Sequence, residues 1–369
     1  MQKVHRVVVK VGTSVVTTET GRLDLPQLKN LVGQIAEMVK RGYQVLLVSS
    51  GAIAAGVEGL GLAKRPTAMP ELQAAASVGQ GLLLQQYTNL FKEHGLRVGQ
   101  VLLTQYDTTH RQQYLNARNT LDKLLELGAV PIINENDTTA VDEIRFGDND
   151  TLAALVANLC KADLLIALSD TEGLFTGDPR KDRGVKLLET VEEITPEIEA
   201  LGGGVGTKFG SGGMITKIQA AKIVTFAQIG MIIAHGRRPD VLLDVMEGKS
   251  VGTFFVPCRK KIGSRKLWIA FGKTARGTIF VDDGAKEALT KRGRSLLPAG
   301  VFDCEGNFEV GDAVNIADQK GQIFAKGLTS FGIEELSQIK GLRRSEVVEK
   351  LSEVTSEEVV HRDCLVILK

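Results

Sequence analysis

An α/β protein built on a three-layer, open, mostly parallel sheet, followed by a small, mostly β domain, is the fold this sequence predicts. Three observations predict it. Unbroken apolar runs of strand length recur at Val7–Val9, Val45–Val48 and Leu164–Leu168, which suits strands covered on both faces. These runs alternate with segments of helical spacing over residues 1–256, the order of a doubly wound sheet. From Trp268 the texture changes to short β-rich runs between Gly-Asp and Gly-Asn turns. The expected division is a first domain over residues 1–257, a linker over 258–274 and a second domain over 275–363.

Composition narrows the function classes. The 369 residues leave room for two or three domains, and 43% are hydrophobic, enough for a packed core throughout. A net charge of +1 gives no global field toward nucleic acid or a membrane. Cys160, Cys258, Cys304 and Cys364 are too scattered for a zinc site or a disulfide framework. No apolar run approaches a membrane span, and Met1 to Arg6 leads straight into a strand-like run, so a cytoplasmic location is expected.

Taken in order, Val7 to Val11 reads as a buried strand running into the turn Gly12-Thr13-Ser14. Lys10 is the anomaly there. A buried ammonium needs an anionic partner, which a ligand or a structural ion pair would supply. Leu28, Leu31, Val32, Ile35 and Val39 share one face of a helix over Leu25 to Lys40, with Asp24 as its N-cap and Gly42 at its end. After the Val45–Val48 strand, Ser49-Ser50-Gly51-Ala52-Ile53-Ala54-Ala55-Gly56 puts small residues at a strand-to-helix junction. Such a junction suits an anion against backbone N–H groups, and equally suits close helix–sheet packing. Glu71 to Phe91 reads as helical but broken near Gly79 and Gly81. Val98 to Leu103 reads as a strand and Leu115 to Leu127 as a helix.

The densest polar stretch follows. The apolar run Gly128–Ile133 leads into Asn134, Glu135, Asn136, Asp137, Asp142, Glu143, Arg145, Asp148, Asn149 and Asp150. Open α/β sheets bind ligands at such strand ends. A short hairpin is expected over 138–146, then a helix from Asp150 to Cys160 capped by Asp148 or Asn149. The Leu164–Leu168 strand again breaks into polar residues at Ser169-Asp170. The glycine-rich run Leu201–Gly213 precedes a helix opened by Met214-Ile215-Thr216-Lys217 and running through Phe226. Lys217 in a first turn opposes the helix dipole, which makes sense beside a bound anion; a flexible surface loop is the alternative reading of that run. Its spacing is neither a P-loop nor a dinucleotide fingerprint. Gly230–Ala234 and Val251–Val256 supply the last strands of the first domain. In the second, strands are expected at Gly277–Val281, Ala313–Ile316 and Gln322–Leu328, with one helix over Ala285–Lys291.

Several of these stretches together resemble the amino acid kinase superfamily: Lys10-Val11-Gly12-Thr13-Ser14, Ser49 to Gly56, Leu115-Asn116-Ala117-Arg118, Ile133-Asn134-Glu135-Asn136-Asp137, Phe146-Gly147-Asp148-Asn149-Asp150 and Gly212-Gly213-Met214-Ile215-Thr216-Lys217. Gly293 to Val301, Gly306-Asn307-Phe308 and Gly311-Asp312 resemble a PUA domain. The resemblance is to the members that phosphorylate the side-chain carboxylate of L-glutamate with ATP, the first step toward proline. It implies the amino acid kinase fold, ATP and Mg²⁺, feedback inhibition by L-proline, and a homodimer or homotetramer. It also implies roles. Lys10 and Lys217 hold ATP phosphates and Asp150 orients them. Ser50, Asp137 and Asn149 bind glutamate. Gly12, Ser169, Asp170 and the run Ser211, Gly212, Gly213, Met214, Ile215, Thr216 and Lys217 bind nucleotide. Mg²⁺ rides on the phosphates, with no protein ligand assigned. Two positions depart from the family's habit: Ser169 stands where threonine is common and Arg145 where lysine is, and arginine does not replace lysine at a charge-critical site. A superfamily member acting on another acceptor, or an RNA-binding protein working through the PUA domain, are the competing implications. The near-neutral charge speaks against the second as the main function.

Overall fold

A computed structural model describes residues 4–104, 107, 111–139, 149–179, 181–182, 184–203, 213–258, 266, 269, 275–350 and 356–368. The chain divides into two compact units, Met1–Lys261 and Ile262–Lys369.

The first unit is organised on an eight-stranded sheet in the order β3-β4-β2-β1-β5-β7-β8-β6. Its strands are β1 (Arg6–Val11), β2 (Gln44–Val48), β3 (Arg97–Leu103), β4 (Ala129–Glu135), β5 (Leu164–Ser169), β6 (Thr190–Val191), β7 (Gly230–His235) and β8 (Thr253–Phe255). Every pairing is parallel except that of β7 with β8. Strand alternation sorts β1 into two faces. Val7, Val9 and Val11 join a buried core with Leu28, Leu31 and Ile35 of α2 (Leu25–Lys40) and Leu83, Tyr87 and Phe91 of α4 (Met69–Glu93). Arg6 and Lys10 turn to the opposite layer. There Arg6 meets Asp122 of α5 (Arg111–Glu126), and Lys10 meets Asp150 of α6 (Asn149–Leu159). The result is the expected three-layer α/β/α arrangement.

Local signals explain most boundaries. Asp24 caps α2, its carboxylate accepting from the Gln27 N–H at 3.1 Å. Arg237 also reaches that carboxylate, at 2.8 Å, and the Thr17 carbonyl, at 2.6 Å, tying the turn after β1 to the end of β7. The break expected near Gly79 is absent. The α4 helix runs unbroken through Gly79 and Gly81, and Gly79 serves packing instead. A Cβ there would lie 1.7 Å from the Ala52 carbonyl oxygen of α3 (Ala52–Gly59), and one at Gly56 would lie 1.7 Å from the Ala75 carbonyl oxygen. Most of the hairpin expected over 138–146 lies outside the described residues.

The second unit holds a five-stranded sheet, β10-β9-β11-β12-β13. Its strands are β9 (Gly277–Val281), β10 (Val301–Gly306), β11 (Ala313–Ala317), β12 (Ile323–Leu328) and β13 (Leu365–Ile367). Ile279, Phe308, Val314, Phe331 and Leu336 lie in its core. The expected helix is present as Asp283–Arg292, capped by Asp282, which accepts from the Ala285 N–H at 2.7 Å. Two further helices, Ile333–Ile339 and Arg344–Lys350, correct the expectation of one.

Candidate active site

Lys10 lies one residue from the end of β1, in register with Val48 of β2 and Ala167 of β5. It is therefore central in the sheet, and only 2% of it is exposed. Its Nζ is 2.6 Å from Asp150 Oδ1. Asp150 is the second residue of α6, where the helix dipole favours a carboxylate, and it is 1% exposed. Its other oxygen, Oδ2, lies 3.1 Å from Lys217 Nζ and accepts from Thr216 Oγ1 at 2.9 Å. Lys217 and Thr216 are in the first turn of α8 (Met214–Phe226). One carboxylate thus gathers two buried ammonium groups, and the three side chains together carry a single positive charge. Two buried ammonium groups converging on one carboxylate suit an anionic ligand beside them.

The rim on this side comes from turns. The Gly12 N–H donates to the Leu168 carbonyl at 3.1 Å, and a Cβ at Gly12 would approach Lys10 Nζ to 3.8 Å. Ser169, at the end of β5, is buried; its hydroxyl lies 3.0 Å from Asp170 Oδ1, and Asp170 itself is exposed. Gly213 precedes α8, and its carbonyl accepts from Thr216 Oγ1 at 2.8 Å. Met214 is half-buried and Ile215 exposed. Ser211 and Gly212 lie outside the described residues, as does Arg145.

A second polar cluster adjoins the first through Asn149, the neighbour of Asp150. Asn149 Nδ2 donates toward the Ser49 carbonyl at 2.7 Å, Asn134 Oδ1 at 2.9 Å and Ser50 Oγ at 3.1 Å. Two hydrogens serve three acceptors, so one is shared. The Asn149 side chain is thereby turned across the strand ends, and the residue itself is the first of α6. Ser50 precedes Gly51, which adopts φ 100° and starts α3, a conformation that favours glycine. Asp137 follows on the turn after β4 and is half-buried.

The structure therefore brings Lys10, Asp150, Thr216 and Lys217 into one group and Ser50 and Asn149 into a second beside it. Asp137 stands on the strand exit that carries Asn134. Asn134 was not singled out as a ligand from the sequence. Its Oδ1 also accepts from the Glu135 N–H at 2.9 Å, which fixes the amide's orientation. Its Nδ2 is buried with no hydrogen-bond partner among the described residues. A donor left so is costly unless a ligand takes it. The signal was present only as one more asparagine in a polar run.

Residues 5–235 match the amino acid kinase family and residues 277–351 match the PUA domain. A glutamate 5-kinase of Thermoanaerobacter sp. (strain X514) is 49% identical over 364 residues, covering 99% of this chain and 98% of that protein. A glutamate 5-kinase of Syntrophus aciditrophicus (strain SB) is 46% identical, covering 100% and 96%. Among solved structures, a UMP kinase from Bacillus anthracis aligns with a TM-score of 0.48 at 14% identity, over 69% of this chain and 97% of its own.

Proposed function

The chain belongs to the amino acid kinase family, in its glutamate 5-kinase branch, and from that premise we propose how its residues divide the work. The reaction is transfer of the γ-phosphoryl group of ATP to the side-chain carboxylate of L-glutamate, giving L-glutamyl 5-phosphate and ADP on the route to proline. The kinase domain spans 1–257 and the PUA domain 275–363, joined by 258–274. The observation that carries the assignment of roles is the Lys10–Asp150–Lys217 group.

Glutamate's side chain has an ordinary pKa of about 4.3, so it is already a nucleophile at neutral pH and needs no general base. A carboxylate oxygen forms a bond to the γ-phosphorus, and the bond to the β–γ bridging oxygen breaks. The demand is for positioning and for charge to meet the negative oxygens of the transferring group. Lys10 and Lys217 supply that charge, and Asp150 sets their spacing. Gly12, Ser169, Asp170 and the run from Ser211 through Gly212, Gly213, Met214, Ile215 and Thr216 to Lys217 hold the nucleotide. Asp137 takes the substrate's ammonium group, while Ser50 and Asn149 hydrogen-bond its carboxylates without adding like charge. The buried Asn134 amide joins them as a donor. Mg²⁺, when carried by the nucleotide, would supply further neutralisation of the phosphate charge that Lys10 and Lys217 meet. No protein residue is assigned as its ligand.

L-Proline acts as a feedback inhibitor through residues 139–148, which in sequence join Asp137 to Asn149, and the protein works as a homo-oligomer in the cytoplasm. Among the described residues no helix is long and apolar enough to cross a membrane. Hydroxylamine tests the reaction, since it traps an acyl phosphate as a coloured hydroxamate and leaves a phosphate ester untouched. With Mg-ATP, hydroxamate should form with glutamate and not with aspartate or acetylglutamate, and proline should suppress it. Hydroxamate from another acceptor would move the assignment within the family. None at all, from folded protein that binds ATP, would overturn the reaction and favour RNA contact through the PUA domain, read by gel shift across salt.

A further inference from the structure

The glutamate cluster is fastened from below by one helix. Gln80 and Tyr87 are seven residues apart on α4, so they share a face, with Leu83 between them. Both are buried, at 8% and 1% exposure. Gln80 Nε2 donates to the Glu135 carbonyl, the last residue of β4, at 3.3 Å. The Tyr87 hydroxyl lies 2.8 Å from Ser49 Oγ, just beyond the end of β2. Ser49 Oγ donates in turn to the Ser50 carbonyl at 3.1 Å, which leaves Tyr87 as donor to Ser49. The Ser49 carbonyl accepts from Asn149 at 2.7 Å. A chain of hydrogen bonds thus runs from α4 to Ser49 and Ser50, two of the three residues that Asn149 grips.

β2 and β4 are adjacent strands whose exits carry Ser50 and Asn134. The β2–β4 ladder sets the strand spacing as far as the Ser49 N–H, which donates to the Ile133 carbonyl at 2.9 Å, and Ser50, Asn134 and Glu135 lie beyond that bond. Two buried polar side chains on one helix hold the backbone past that point. Burial pushes the Tyr87 hydroxyl up to about 12, so it stays a donor across the working range. The close α3–α4 contact at Gly56 and Gly79 holds the same helix against the segment that Ser50 and Gly51 open.

We propose that Gln80 and Tyr87 are positioning residues for glutamate: through the Glu135 and Ser49 bonds they hold the exits of β4 and β2, beyond the last ladder bond, that present Asn134 and Ser50. This rests on the assignment of Ser50 and Asn149 to glutamate, and the two are tested separately. Asn149→Ala reports that assignment: a raised KM for glutamate keeps it, and an unchanged one removes it and the inference with it. Tyr87→Phe deletes one hydroxyl and keeps the ring. It should raise the KM for glutamate about fivefold, the worth of one internal hydrogen bond, with kcat and the KM for ATP within about twofold. Gln80→Met should act in the same direction. Ser49→Ala breaks the Tyr87 bond from the strand side and the Ser50 bond with it, so it serves if Tyr87→Phe does not fold, and the double variant should be no worse than Ser49→Ala alone. An unchanged KM for glutamate in folded Tyr87→Phe and Ser49→Ala, an equal rise for both substrates, or additive losses in the double variant would each overturn the inference and leave α4 as packing.

Discussion

At the scale of single residues, the site turns on one carboxylate serving two ammonium groups. Lys10 and Lys217 approach Asp150 on opposite oxygens, at 2.6 and 3.1 Å. If both act on charge that develops during transfer, their loss should appear in turnover and not in ground-state binding. Lys10→Ala or Lys217→Ala is therefore expected to cut kcat by about a hundredfold or more, with the KM for ATP and glutamate within a few-fold. A variant with normal kcat and a raised KM would assign that lysine to binding alone. Lys10 was readable from the sequence because an ammonium in an apolar strand demands an anion. Its partner Asp150 was named only through the family resemblance: carboxylates and amides crowd the same polar stretch, and without that resemblance only the fold chooses among them. Asn134 shows the limit more sharply. Composition gives its presence, but the direction of a strand-end amide is set by Asn149 and the Glu135 N–H, residues it meets only in three dimensions.

At the scale of elements, glycine misled the reading in one place and guided it in another. Gly51, at φ 100°, does mark a junction, between β2 and α3. Gly79 marks no break, because a glycine inside a helix may equally serve another backbone's approach. The hydrophobic period cannot separate these cases, since both look like an interruption. With the Ala52 carbonyl 1.7 Å from where a Cβ would sit, Gly79→Ala must push α3 from α4. We expect a loss of about 3 kcal/mol in unfolding free energy and weaker glutamate use, as α3 begins just after Ser50, which we propose binds the substrate. Denaturant unfolding and initial rates would measure both. A variant as stable as its parent would mean that the helices part without cost. Helix α2 was legible to its last residue, because Asp24 and Pro26 start it and one face is apolar throughout. The two-residue strand β6 and the reversed direction of β8 carried no such signal: their place is decided by the sheet edge that receives them.

At the scale of the molecule, the two units differ in how they were read. Long parallel strands and capped helices made the first unit plain. In the second, short strands left β10 and β13 undetected, for three to six residues of alternation do not stand out from loop. Its buried Lys326 gives the unit its own pH response. Burial lowers that ammonium from 10.5 to about 8. Between those values the unfolded chain binds more protons than the folded one, so stability rises with pH across this window. Below about 8 the lysine is charged in both states and the burial penalty is fully present. Calorimetry should find the parent gaining on Lys326→Met as pH climbs from about 8 to 10.5, and a constant difference would reject it. The sheet order of the first unit carries a different consequence. Lys10 rides on β1, with β2 and β4 to one side and β5 and β7 to the other. Of the residues proposed for the acceptor, Ser50 and Asp137 follow β2 and β4; of those proposed for the nucleotide, Ser169 and Asp170 lie at the end of β5, with Lys10 and the Asn149–Asp150 step between the two groups. An engineer seeking a new acceptor acid would redraw the exits of β2 and β4 and leave the phosphate half as it stands.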